Sequence, residues 1–124
     1  MNTLLLVDDD SKALDITQRF LKAAGFAVTS ALGGKRALEL LQNEHLKADM
    51  VIIDLDMKMI TGKDVANECI ARAIPFILLS GLMEGEECVA YLNAINYSFS
   101  DLLHKPTELF RLNGLIKKKL NQAV

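Results

Sequence analysis

Carboxylates close two short apolar runs in this chain. Leu4-Leu5-Leu6-Val7 opens onto Asp8-Asp9-Asp10, and Met50-Val51-Ile52-Ile53 opens onto Asp54-Leu55-Asp56. Two further apolar runs end in other reactive groups, Phe76-Ile77-Leu78-Leu79 at Ser80 and Leu102-Leu103-His104 at Lys105-Pro106. Carboxylates, a hydroxyl and an ammonium together make an inventory for holding a divalent cation and moving a phosphoryl group. Mg2+ takes near-octahedral oxygen ligands, usually one or two carboxylates plus phosphate oxygens, and Asp8, Asp9 and Asp54 could supply them. Three carboxylates brought close together repel, so the arrangement makes sense only with a cation or the Lys105 ammonium between them. A carboxylate is also a phosphoryl acceptor that yields an aspartyl phosphate. Such transfer needs in-line positioning and charge neutralisation more than covalent chemistry from the protein, with Ser80 and backbone N–H groups as hydrogen-bond donors. Taken singly, each motif has a plainer reading. The acidic triplet suits a helix N-terminus, Ser80-Gly81 an ordinary turn, and Lys105-Pro106 an ordinary stop signal. The plainer readings leave unexplained why all four stand in order at the ends of apolar runs.

Those runs predict the elements that position the groups. Four to seven apolar residues stopped by acid read as a buried parallel strand whose C-terminal end reaches solvent, the edge where open α/β sheets bind ligands. Strands are expected near 3–8, 26–31, 49–54, 75–80 and 100–104. A first helix is predicted from Asp10 or Ser11, both competent caps, to Gly25, with Ala13, Ile16, Phe20 and Ala24 as its buried stripe. A second runs from Gly34 to Asn43 with Ala37, Leu38 and Leu41 inward, and a third follows Gly62 with Val65, Ala66, Cys69 and Ile70 on one face. A fourth spans Glu84 to Asn96, and the last begins at a Thr107 cap and repeats Leu109, Leu112, Leu115, Ile116 and Leu120. Alternating strands and helices with short connections predict a three-layer α/β fold, a parallel sheet covered on both faces. Pattern alone leaves the strand order open.

At 124 residues, 51% hydrophobic and 24% charged, the chain fits a single globular domain over 1–124. A net charge of −2 gives no footprint for direct nucleic-acid binding. No apolar stretch approaches the roughly 18 to 20 residues a membrane span needs, so no membrane partner and a cytoplasmic location are expected. Cys69 and Cys88 lack metal-ligand spacing and read as reduced, partly buried helix residues. His45 reads as an exposed loop residue and His104 as a strand residue facing a helix or solvent. Lys117-Lys118-Lys119 reads as a solvated helix end that complements the helix dipole.

Together, Leu6-Val7-Asp8-Asp9-Asp10, Ile53-Asp54-Leu55-Asp56-Met57, Leu79-Ser80-Gly81 and His104-Lys105-Pro106 resemble the receiver domain of bacterial two-component response regulators. The resemblance covers essentially the whole chain. It implies a flavodoxin-like (βα)5 fold with strand order 2-1-3-4-5. Asp54 would accept a phosphoryl group from a sensor histidine kinase or phosphotransfer protein. Asp8 and Asp9 would hold Mg2+, Asp9 more directly, with Asp54 and the backbone carbonyl of Asp56 completing the protein ligands. Lys105 would contact the phosphoryl oxygens, its bond to Pro106 would be cis, and Ser80 would turn toward the phosphate and report the event. The protein would be catalytic only toward itself, and signal through a downstream protein partner or a phosphorylation-linked dimer. No output domain is expected in this chain.

Several positions depart from the family pattern. Lys58 follows Met57 where the family has proline, and is expected to point to solvent. Leu102 stands where a switch aromatic is expected, and a leucine carries no phenol hydroxyl. Tyr97 and Phe99, just upstream, are expected to fill core volume, the alternative being an exposed partner-binding patch. Asp56 and Leu82 lie where the family tunes dephosphorylation. Leu102, Phe99 and Lys58 motivate an alternative, a receiver-like binding module that no longer switches. Asp54-x-Asp56 motivates a second, a metal-dependent phosphatase of the haloacid dehalogenase kind.

Overall fold

The structure is a computed structural model, and the residues it describes are 2–43, 46–57, 61–81, 86–105 and 108–122. His45, Lys58, Leu82, Thr107 and Pro106, with its expected cis bond, lie outside the described residues. Strands β1 (Thr3–Asp8), β2 (Ala27–Leu32), β3 (Met50–Asp54), β4 (Phe76–Ser80) and β5 (Leu103–His104) alternate with helices α1 (Ser11–Ala23), α2 (Gly34–Leu41), α3 (Gly62–Ala71), α4 (Glu86–Ala94) and α5 (Leu109–Gln122). All strand pairings are parallel, in the order β2-β1-β3-β4-β5. Among the described residues no helix is long and apolar enough to cross a membrane.

Each central strand is apolar on both sides because both sides are covered. Leu5, Val7, Val51, Ile53 and Leu78 pack with residues of α2, α3 and α4 in one core cluster. Leu4, Leu6, Ile52, Ile77 and Leu79 pack with Leu14, Leu21, Leu112 and Ile116 of α1 and α5 in the other. The period-2 alternation of a strand divides the residues between the two layers.

Several sequence expectations are corrected by this packing. The buried stripe of α1 is Leu14, Thr17 and Leu21, whereas Ile16 is 60% exposed and Ala24 faces outward. Thr17 hid this stripe, because a polar residue interrupts its apolar pattern. Ile70 at the end of α3 is exposed, and α4 ends at Ala94, two residues before the expected Asn96, while its expected start at Glu84 lies outside the described residues. The last strand is only two residues long, preceded by a 3-10 turn over Phe99–Asp101. Cys69 and Cys88 are free and buried, and His104 is exposed. Lys119 does not end in solvent. Its ammonium pairs with Asp101 at 3.3 Å and lies 5.0 Å from the centre of the Tyr97 ring.

Candidate functional site

Strand order assembles the site. The chain leaves β1 toward β2 on one side and reaches β3 on the other, so the order in which strands are added reverses between β1 and β3, where a crevice opens at the C-terminal edge. Val7 pairs with Ile53, placing Asp8 and Asp54 side by side one residue further on. Asp54 pairs with Leu79 of β4, and Ser80 pairs with His104 of β5. The next residue, Lys105, donates its backbone N–H to the Ser80 carbonyl at 2.9 Å, and its side chain turns across the edge.

The Lys105 ammonium bridges the two strand-end carboxylates, 3.0 Å from Asp8 Oδ2 and 3.2 Å from Asp54 Oδ2. The other oxygen of each is held by the backbone two residues on. Asp8 Oδ1 accepts from the Asp10 N–H at 3.0 Å, and Asp54 Oδ1 from the Asp56 N–H at 2.9 Å. Asp10 does separate work, capping α1 by accepting from the N–H groups of Lys12 and Ala13. Asp8 and Asp54 are buried and Asp9 is exposed, and one oxygen of each lies within 4.8 Å of the others. Trans ligands on an octahedral Mg2+ stand about 4 Å apart at metal–oxygen distances of about 2.0–2.1 Å, so this oxygen cluster fits such an ion.

Electrostatics of the site follow from burial and crowding. Burial pushes the Asp54 carboxyl up to about 6; Asp8 adds to the rise, while the Asp56 N–H and Lys105 oppose it. Burial also acts against the Lys105 ammonium, but hydrogen bonds and attraction from Asp8 and Asp54 outweigh it and the net shift is upward. Lys105 therefore stays protonated at neutral pH.

Ser80 and Asp56 form a second group beside the first. Asp56 Oδ1 accepts from the Ser80 hydroxyl at 3.3 Å, and Oδ2 accepts from the Gly81 N–H. The Asp56 carboxylate thus faces β4 and stands outside the oxygen cluster of Asp8, Asp9 and Asp54. Leu102 is 2% exposed and packs in the core layer of α2, α3 and α4.

Two residues essential to this geometry carried little sequence signal. Gly62 opens α3 directly under the Asp54 backbone, where an added Cβ would stand 2.4 Å from the Asp54 carbonyl oxygen and 2.7 Å from Leu55 Cα. Its visible signal is the preceding Thr61, which forms a capping box with Asp64. Tyr97 is the other. Its hydroxyl accepts from the Leu78 N–H at 3.1 Å and donates to the Asp101 carbonyl at 2.8 Å.

Comparison with known proteins agrees with this architecture. The response regulator SaeR of Staphylococcus aureus (strain USA300) is 29% identical over 95% of this chain and 52% of its own length. The chain spans about half the length of that relative. A response regulator receiver protein from Pseudomonas putida superposes with a TM-score of 0.82 at 27% identity, covering 94% of this chain and 96% of that one. A CheY-like receiver domain protein from Methanospirillum hungatei JF-1 shares the fold with a TM-score of 0.86 at 22% identity, over 99% of this chain and 96% of its own. The family described as the response regulator receiver domain matches residues 4–117. With that match across nearly its whole length, the chain belongs to the response regulator receiver domain family.

Proposed function

We propose that Asp54 is a phosphoacceptor, phosphorylated by a histidine kinase or phosphotransfer protein in a Mg2+-dependent reaction, and that the modified domain signals through a protein partner. The observation that carries this reading is the Lys105 ammonium bridging Asp8 and Asp54 with Asp9 in the same cluster. Three carboxylates and one ammonium leave a formal charge of −2, which a divalent cation balances. Asp8, Asp9 and Asp54 would hold Mg2+ together with the Asp56 backbone carbonyl, and the bound ion supplies charge neutralisation at the phosphoryl oxygens. Lys105 holds the acceptor carboxylate in place and presents its positive charge to the incoming group. An Asp54 oxygen attacks phosphorus as the P–N bond to the donor imidazole breaks, the electron pair of that bond going to the protonated imidazole as leaving group. Ser80, at the edge of β4, is placed to donate a hydrogen bond to the transferred group once its hydroxyl turns from Asp56.

Asp56 does not suit the acid/base role of a phosphatase, because Ser80 and Gly81 already engage both its carboxylate oxygens. A non-switching binding module keeps one specific observation in its favour, the apolar Leu102 seated in the core. The test is incorporation of phosphate from an acyl phosphate donor with and without Mg2+. Labelling that needs Mg2+ and disappears in Asp54→Ala is expected; equal labelling of that variant sinks the assignment. Beryllofluoride then separates the two readings. Amide shifts spreading from the pocket to β4 and β5 mark a switch, and shifts confined to the pocket mark a binding module.

A further inference from the structure

The edge strand β5 stops one rung short of where its ladder with β4 could continue. Odd residues of β4 and the preceding loop face β3, since the Pro75 and Leu79 carbonyls accept from Val51 and Leu55. Even residues face β5, since the Ser80 carbonyl accepts from Lys105. Stepping back two residues in a parallel ladder, the Leu78 N–H is due to meet the Asp101 carbonyl. It meets the Tyr97 hydroxyl instead, and that hydroxyl donates its own hydrogen bond to the Asp101 carbonyl, at 3.1 and 2.8 Å. One phenol oxygen is thus inserted between the two backbone groups of a missing rung.

The inserted group is held from several sides. The Tyr97 ring stacks on Phe76 of β4, centroids 5.7 Å apart and planes 16° from parallel. From α5, Lys119 lies over the ring and pairs with Asp101, and Arg111 donates to the Ser100 carbonyl at 3.1 Å. Burial holds the phenol protonated, so it can accept and donate at once. The turn is pinned by residues 97, 111 and 119, and only three residues separate Asp101 from Lys105.

We propose that Tyr97 is a positioning residue for the strand-end site, its hydroxyl replacing one rung of the β4–β5 ladder and so fixing where β5 begins and where Lys105 reaches Asp8 and Asp54. The catalytic consequence rests on the phosphoacceptor reading above; the ladder geometry does not.

The experiment compares the wild-type chain with Tyr97→Phe, which keeps the ring and its stacking and removes only the hydroxyl. Hydrogen exchange at Leu78 is expected to accelerate about tenfold, as for one lost buried hydrogen bond, while Ile77, facing β3, keeps its protection. Labelling of Asp54 by an acyl phosphate in saturating Mg2+, at a temperature where both proteins are fully folded, is expected to slow about fivefold through displacement of Lys105. Unchanged Leu78 exchange overturns the inserted rung. Faster exchange with an unchanged labelling rate overturns the positioning role and leaves a structural one. If wild type takes no label, the phosphoacceptor reading fails on its own, and Lys105 resonances then decide: displacement in Tyr97→Phe supports positioning, coincidence overturns it. Should Tyr97→Phe not fold, Lys119→Gln loosens the same turn. Accelerated Leu78 exchange is expected there, and wild-type exchange overturns the proposal.

Discussion

Asp54 carries a cost that its neighbours only partly offset. Its carboxyl titrates near 6 rather than 3.8, chiefly because it is 1% exposed. Between those values the native form holds more protons than the unfolded chain, so stability falls as pH rises through the window and the full cost is present above about 6. The difference corresponds to on the order of 3 kcal/mol. Asp54→Asn removes the ionisation, and in metal-free buffer at neutral pH it is expected to be more stable than wild type by about 1–3 kcal/mol. That gain shrinks to nothing as pH falls toward 4, which urea unfolding at both pH values reads directly. A neutral-pH midpoint no higher than wild type contradicts it. Mg2+ added at neutral pH should narrow the gap, because a divalent cation at the proposed site would favour the ionised wild-type carboxylate over the neutral amide. None of this was legible in the residues themselves. Asp8, Asp9, Asp54, Ser80 and Lys105 could be named from the ends of apolar runs, but the diversion of the Asp56 carboxylate toward β4 depends on distances that one-dimensional spacing does not contain.

Element ends show where local conformation and the site meet. Ala73 follows α3 at φ +56° and Asn96 follows α4 at φ +58°, both left-handed. Asparagine tolerates that region, whereas alanine is strained by about 1 kcal/mol. Ala73→Gly is therefore expected to raise the urea unfolding free energy by about 0.5–1 kcal/mol with no effect on Mg2+ binding. The opposite end of α3 responds in the other direction. At Gly62 an added methyl meets backbone and no flexible side chain, so Gly62→Ala must push α3 away from β3. Its expected cost is about 1–3 kcal/mol, with displaced Asp54 and Asp56 amide resonances; a variant with wild-type stability and spectrum contradicts the contact. Strands β1, β3 and β4 were legible to within a residue because their buried runs are continuous and end abruptly. The fifth was predicted over 100–104 and forms only over Leu103–His104, since a tyrosine upstream supplies the hydrogen bonds a longer strand would make. In α1, two overlapping stripes compete in the sequence. Periodicity could not tell that the sheet takes the one containing Thr17.

At the scale of the whole molecule, the C-terminal edge of the sheet concentrates like charge that the rest of the fold must tolerate. Parallel strands and short connections force Asp8 and Asp54 together, and among the described residues Lys105 answers both. A ligand that binds only this folded arrangement stabilises the entire domain through mass action, by about 2.7 kcal/mol at a hundredfold excess over its dissociation constant. Thermal unfolding of the chain is accordingly expected to shift upward with Mg2+ concentration, to return on chelation, and to respond little to monovalent salt at matched ionic strength. Asp9 gives the discriminating variant. It belongs to the oxygen cluster but is exposed, so Asp9→Asn should leave metal-free stability near that of wild type while removing most of the Mg2+ increment. General screening of repulsion predicts instead that both proteins gain equally and that monovalent salt reproduces the effect. A Mg2+-dependent rise present in wild type and absent from Asp9→Asn ties the stability of the fold to the cluster at its edge; identical midpoints with and without Mg2+ in wild type remove the metal from the account of this domain.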